Sequence, residues 1–242
     1  MKTHTLLPAL IFSAAFMSTA SAASYVYDIQ NDLGAGINNT AITDAGWEGN
    51  GTWQTRAFDG YYFATLTNGS NVAGTPHVRT LARDLSSVLN ASNTSLTLDI
   101  KVRIDGDANY KWSSGIADGT TMLLGIQKNG LDWEIVQNGI VSTTKGGFVS
   151  ASNGTNYVSL VVDYGAGTVD LMHGATKLIN DYALDPTLTA AYVANNADGL
   201  QMGMDTSYYV GTGSFTIDTV PEPSSSALLG LAGMALVLRR RR

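Results

Sequence analysis

A chain of 242 residues with 14% charged side chains, 26 glycines and no cysteine excludes disulfide scaffolds, thiolate catalysis and cysteine metal sites. The formal charge of −6 understates the acidity of the middle. Setting aside Lys2, Glu222 and Arg239 to Arg242 leaves nine basic and nineteen acidic residues, a net of −10, which repels nucleic acid and anionic lipid and removes both as partners.

Met1 to Ala22 reads as a secretory signal peptide. Lys2 supplies the positive start and Leu6 to Met17 the apolar run. Ala20-Ser21-Ala22 supplies the small-residue cleavage pattern, with the cut before Ala23. The alternative, an uncleaved anchor helix, meets the objection that the run is short for a bilayer.

The body runs from Ala23 to Thr219, rich in serine, threonine, asparagine and glycine between apolar runs. That is the composition of an exported all-β protein, long enough for one sandwich with a sizeable core. Tyr25 to Ile29 alternates as a first strand. Asn31 to Gly51 reads as loop. Arg56 to Thr67 suits a strand or a bent pair of strands, and Asn68 to Asn71 a turn. Leu81, Leu85, Val88 and Leu89 fall at helical spacing and predict a turn or two of helix.

Leu96, Leu98, Ile100, Val102 and Ile104 alternate with polar residues and predict a strand with one buried face. Met122 to Gln127 predicts a strand, Asn129-Gly130 a tight hairpin, and Leu131 to Val136 its return. Tyr157 to Tyr164, Thr168 to Met172 and Lys177 to Ile179 predict three more strands around glycine turns. Asp181 to Thr189 reads as irregular, and Leu200 to Met204 and Ser214 to Asp218 as closing strands. Strands this closely punctuated argue an all-β sandwich.

The run Y-V-S-L-V-V-D-Y-G-A-G-T-V-D-L-M-H-G-A-T-K-L-I from Tyr157 to Ile179, with G-S-F-T-I-D near the end, resembles the hairpins and last strand of concanavalin A-like and laminin-G-like domains. The resemblance implies a concanavalin A-like jelly-roll sandwich of two antiparallel sheets.

Val220-Pro221-Glu222-Pro223, three serines, an apolar run from Ala227 to Leu238, and Arg239 to Arg242 close the chain. These residues resemble the PEP-CTERM sorting signal of Gram-negative bacteria. Pro221, Glu222 and Pro223 would be the sorting motif. Leu228, Leu229, Leu236 and Leu238 would anchor a short transmembrane helix, and Arg239, Arg240, Arg241 and Arg242 would stop it on the cytoplasmic side. Twelve residues cover about 18 Å of helix, less than the hydrocarbon core, although the serines can extend it. A permanent weak anchor is the alternative. The resemblance implies passage through the secretion machinery and transient anchoring in the inner membrane. An exosortase-type protease then processes the chain, and its destination is the cell surface or extracellular matrix.

Candidate chemistry is sparse. Asp132-Trp133-Glu134 places two carboxylates on one strand face, as retaining glycosidases do. Glycoside hydrolase family sixteen has the motif E-I-D-x-E, and here Gly130 stands where its nucleophile would be. A strand face with Trp133 buried is the expected reading, and no catalytic residue is assigned. Asp105, Asp107 and Asn109 have the D-x-D-x-N spacing of calcium loops, but Tyr110 and Ile116 replace the glycine and glutamate of an EF-hand. A plain acidic loop without cofactor is favoured over a calcium site. His77 and His173 read as turn residues without metal spacing. Trp47, Trp53, Trp112 and Tyr208 are candidates to stack on sugar rings; their alternative is the core.

The expectation is an exported, non-enzymatic β-sandwich of the cell envelope or exopolysaccharide matrix with affinity for glycans. A glycan-active hydrolase on the same fold and a purely structural coat protein are the competing readings.

Overall fold

The computed structural model describes residues 22–33, 46–51, 53–66, 77–104, 111–147, 154–205 and 210–222. Ala22–Pro221 forms one compact unit. In chain order its elements are β1 (Ala23–Asp28), α1 (Ile29–Leu33), β2 (Glu48–Gly49), β3 (Trp53–Phe58), β4 (Tyr61–Leu66), β5 (His77–Ala82), β6 (Asn93–Ile104), β7 (Lys111–Asp118) and β8 (Thr121–Asn129). There follow β9 (Asp132–Gln137), β10 (Ile140–Val141), β11 (Gly154–Asp163), β12 (Thr168–His173), β13 (Thr176–Ala183), α2 (Ala190–Asn196), β14 (Gly199–Met204) and β15 (Val210–Pro221).

The strands make an all-β jelly-roll sandwich of two antiparallel sheets. The larger has the order β13-β12-β11-β6-β15-β4-β3, with β1 also paired to β15. The second has the order β10-β9-β8-β7-β14-β5-β2. Period-two alternation explains the core. Leu96, Leu98, Ile100 and Val102 of β6 are wholly buried, and so are Val158, Leu160 and Val162 of the neighbouring β11. Their registers match, with Leu160 opposite Leu98 and Val158 opposite Ile100. Each such side chain contributes about 1.5–3 kcal/mol by leaving water. Ile116, Ile126, Ile135, Leu200 and Met202 face them from the second sheet.

The run expected to bend does so as the hairpin β3–β4 around Asp59 and Gly60. Both residues adopt positive φ, 50° and 81°. The Asn129-Gly130 hairpin forms one residue later than its dipeptide suggests. Asn129 pairs with Asp132, so Gly130 and Leu131 are the central pair. Only Gly130 has positive φ, at 63°, the pattern of a turn with glycine at its first central position.

One expectation is narrowed. Leu81 belongs to β5 and no helix spans Leu81 to Leu89, but the chain makes a single helix-like turn at Leu85, whose carbonyl accepts from the Val88 and Leu89 amides at 3.0 and 2.8 Å. Leu85, Val88 and Leu89 are buried. β7 occupies Lys111–Asp118, a stretch without clear alternation, because its inward Ser114 bonds the hydroxyl of Thr212 across the sandwich at 2.9 Å. The helix Ala190–Asn196 was also not expected from the sequence; Thr189 caps it, accepting from the Tyr192 amide at 3.1 Å.

Candidate functional site

Two places in the sandwich bear on function: the strand that leads into the tail, and the face that carries the adjacent carboxylates. β15 lies in the middle of the larger sheet. It pairs with β6 from Val210 to Pro221 and with β1 from Ser214 to Thr219. The Thr219 hydroxyl donates to the Val88 carbonyl at 2.9 Å, and the Thr94 hydroxyl donates to the Val220 carbonyl at 3.0 Å. Pro221 stands opposite Asn93. A proline suits this strand end because it has no amide to donate. Glu222 follows, exposed. Pro223, the apolar leucines and the four arginines lie outside the described residues. Among the described residues no helix is long and apolar enough to cross a membrane.

On β9, Trp133 points into the core and is wholly buried, while Asp132 and Glu134 share the opposite face. That face is not open. The chain from Ile140 to Gly146 runs back along β9, with reciprocal bonds between Trp133 and Gly146 at 3.0 and 2.8 Å. Lys145 thereby reaches both carboxylates, Asp132 at 2.7 Å and Glu134 at 3.7 Å. Glu134 also accepts from the Gln127 amide at 2.9 Å and is only 3% exposed. Hydrogen bonding and charge from Asp132 hold the Lys145 ammonium above the usual lysine range. The pair is an anchored ion cluster rather than a solvated face.

The loop tryptophans are corrected to core residues. Trp47, Trp53 and Trp112 are 1%, 2% and 0% exposed. Each indole nitrogen has a fixed acceptor: the Tyr27 hydroxyl, the Asn50 carbonyl and the Thr212 hydroxyl, at 2.9, 3.0 and 3.0 Å. With their donors satisfied, large rings gain most by leaving water. Tyr208, Asp105, Asp107 and Asn109 lie outside the described residues. Among the described residues no group of three or more acidic or histidine side chains could hold a metal ion.

The histidines sit on strands rather than in turns. His77 opens β5 and His173 ends β12. His173 lies 6.1 Å from Trp133, ring to ring, and its Nε2 meets Asn156 Oδ1 at 3.1 Å. Asn156 Nδ2 donates to Gly154, so Oδ1 is the acceptor and His173 carries its proton on Nε2. Burial pushes the His173 pKa below the ordinary value.

The strands of the second sheet hold two tryptophans, Trp112 and Trp133, both buried, and no phenylalanine or tyrosine. Its depression of about 310 Å³ is lined by Ser113, Gln127 and Gly203 together with Val141, Met204 and the buried Trp112. The exposed rings lie elsewhere. Tyr61 and Tyr157, 40% and 50% exposed, stand on the larger sheet. Sequence reasoning passed over them because strand tyrosines look like core; for Tyr61 the place directly after the Asp59-Gly60 turn, and for Tyr157 the alternation on β11, were the available signals.

The arrangement defines an all-β sandwich whose strand β15 is followed in the sequence by the terminal segment. Residues 219–242 match the PEP-CTERM protein-sorting motif. The motif implies an exported, membrane-processed chain recognised by exosortase-type sorting machinery. Among curated proteins none matches the sequence. Among solved structures the chain is similar to the CBM2 module of the evolved Dit of Lactobacillus casei BL23 phage J-1, at 7% identity over 83% of this chain and 97% of that one, with a TM-score of 0.49. It is similar to winged bean acidic lectin complexed with methyl-α-D-galactose, at 12% identity over 84% and 100% of the chains and a TM-score of 0.48. It is also similar to a mutant Trypanosoma rangeli sialidase displaying trans-sialidase activity, at 12% identity over 77% of this chain and a TM-score of 0.46; it spans only 32% of the sialidase. Likeness at this level says nothing of ligand or activity, and the sandwich is defined by its own strand pairing.

Proposed function

We propose that this protein is an exported, surface-sorted, non-enzymatic β-sandwich of the cell envelope or exopolysaccharide matrix, with affinity for glycans. The observation that carries the reading is the continuity of β15 with the sorting motif. The matched residues begin at Thr219, inside the strand, so the body is the cargo of that signal. The Lys145 cluster supports the non-enzymatic side. A glycosidase needs one carboxyl free to donate and one free to attack, and here both are engaged by one ammonium.

The reading is tested by location. The Glu222→Ala/Pro223→Ala variant leaves every strand pair of the body intact. Cell fractionation should find the wild type at the surface or in the matrix, and the variant held at the inner membrane. An identical distribution of the two would refute sorting through this motif.

A further inference from the structure

The outer face of the larger sheet carries a composite surface that the tail does not explain. Strand register sets its rows. Tyr157 on β11 stands opposite Lys101 on β6, Lys101 opposite Ser214 on β15, and Ser214 opposite Asp28 on β1. Two residues along, Ser159, Asp99, Thr216 and Val26 form the next row. The rows are about 7 Å apart and adjacent strands about 5 Å. The face is therefore an array of hydroxyls and carboxylates edged by aromatic rings, with the Ser159 hydroxyl donating to Asp99.

The β3–β4 hairpin completes it. Tyr61 opens β4, and the Lys101 ammonium lies 4.3 Å from its ring centroid. A glycine makes that approach feasible. A Cβ on Gly213 would lie 2.8 Å from the Phe63 ring and 3.2 Å from Lys101 Cδ. One face of Tyr61 is taken by the lysine, so its exposed part is the other face and the edge. Tyr157 stands opposite the same lysine in the β11–β6 register. Two partly exposed rings thus flank Lys101.

Sugars present two kinds of surface, C–H faces that stack on aromatic rings and hydroxyls that bond to carboxylates and hydroxyls. This face offers both. Its charges are balanced locally: Lys101 lies 3.9 Å from Asp28, and Arg103 is 3.0 Å from Asp59 while its guanidinium covers Phe58 at 3.8 Å. The body around it carries a net −10, which disfavours a polyanion. We infer that the outer face of the larger sheet, centred on Tyr61 and Tyr157, is a binding platform for a neutral polysaccharide. This rests on the glycan-binding part of the function proposed above, and it moves the site from the loop tryptophans to a sheet face.

Affinity electrophoresis tests it, with the full chain in non-ionic detergent and gels containing dextran, a neutral β-1,3-glucan or alginate. The wild type should be retarded by at least one of the two neutral glucans. The Tyr61→Ala/Tyr157→Ala variant should bind it roughly tenfold more weakly, from the loss of two ring contacts. Tyr157→Phe keeps the ring and should bind nearly as well as the wild type. Equal melting temperatures and equal mobility in plain gels show that the variants are folded, and the single substitutions Tyr61→Ser and Tyr157→Ser stand in should the double variant fail. Retardation unchanged by the substitutions would overturn the platform and leave glycan binding standing. Retardation by alginate alone would overturn it too, and so would a wild-type self-association lost with the tyrosines. A wild type retarded by none of the three would overturn both the platform and the glycan-binding reading.

Discussion

Ala23 and Thr219 stand opposite each other in the β1–β15 pair. The residue expected to follow signal-peptide removal therefore lies beside the first residue of the sorting match. Both ends are built into one sheet, where β15 has β6 on one side and β1 on the other. The first three residues of the sorting match, Thr219 to Pro221, belong to that sheet.

The end of β15 depends on the Thr219 hydroxyl, which is buried and bonded to Val88. Thr219→Val keeps the shape and removes the bond. The Val88 carbonyl retains the Asn93 amide at 2.9 Å, so no acceptor is stranded. The expected loss is about 1 kcal/mol, read as a lower urea midpoint with an unchanged slope. A stability equal to wild type would show that the strand end is held by its backbone pairing alone.

His173 sets a pH dependence. Its folded pKa lies below the ordinary histidine value because burial disfavours the cation. The unfolded chain then binds the proton more readily. The contribution is fully present above the unfolded value of about 6.5 and is lost as pH falls through the lower folded pKa. His173→Gln preserves a donor toward Asn156 and removes the titration. Urea titrations at several pH values between 7 and 4 should show the wild type losing more stability than the variant. Parallel curves for the two proteins would exclude His173 as the source.

The carboxylates of β9 give a chemical test. Lys145 and Gln127 occupy them, so no release of reducing ends from a polysaccharide panel is expected from the wild type. Asp132→Asn/Glu134→Gln should match that background. Because Glu134 is buried in this cluster, Lys145→Met should lower the melting temperature at neutral pH. Sugar release by the wild type that disappears in the carboxylate variant would make the pair catalytic.

Much of the fold was legible in the residues. β8 follows from a short apolar run, and β6 and the run from β11 to β13 from alternation and glycine turns. There, one residue type faces the core and another faces water, and period two records both. β7 escaped because its inward positions include Ser114, stabilised by a hydroxyl on the opposite sheet. Leu81 to Leu89 read as one element because a strand end and the single turn at Leu85 both send apolar side chains inward. The site was less legible. A tryptophan in a loop and a tryptophan in a core have the same sequence neighbours, and Thr212, the acceptor for Trp112, is 100 residues away.

The sequence by itself determined the acidic, cysteine-free, all-β character of the body and the sorting signal at its end. These depend on composition, local period and contiguous motifs. Tertiary structure alone decided that Trp47, Trp53 and Trp112 are core, that Lys145 bridges Asp132 and Glu134, and that Tyr61 and Tyr157 flank Lys101. Each of those outcomes depends on which strands become neighbours. That pairing is set by burial summed over the whole sandwich, which no local window contains.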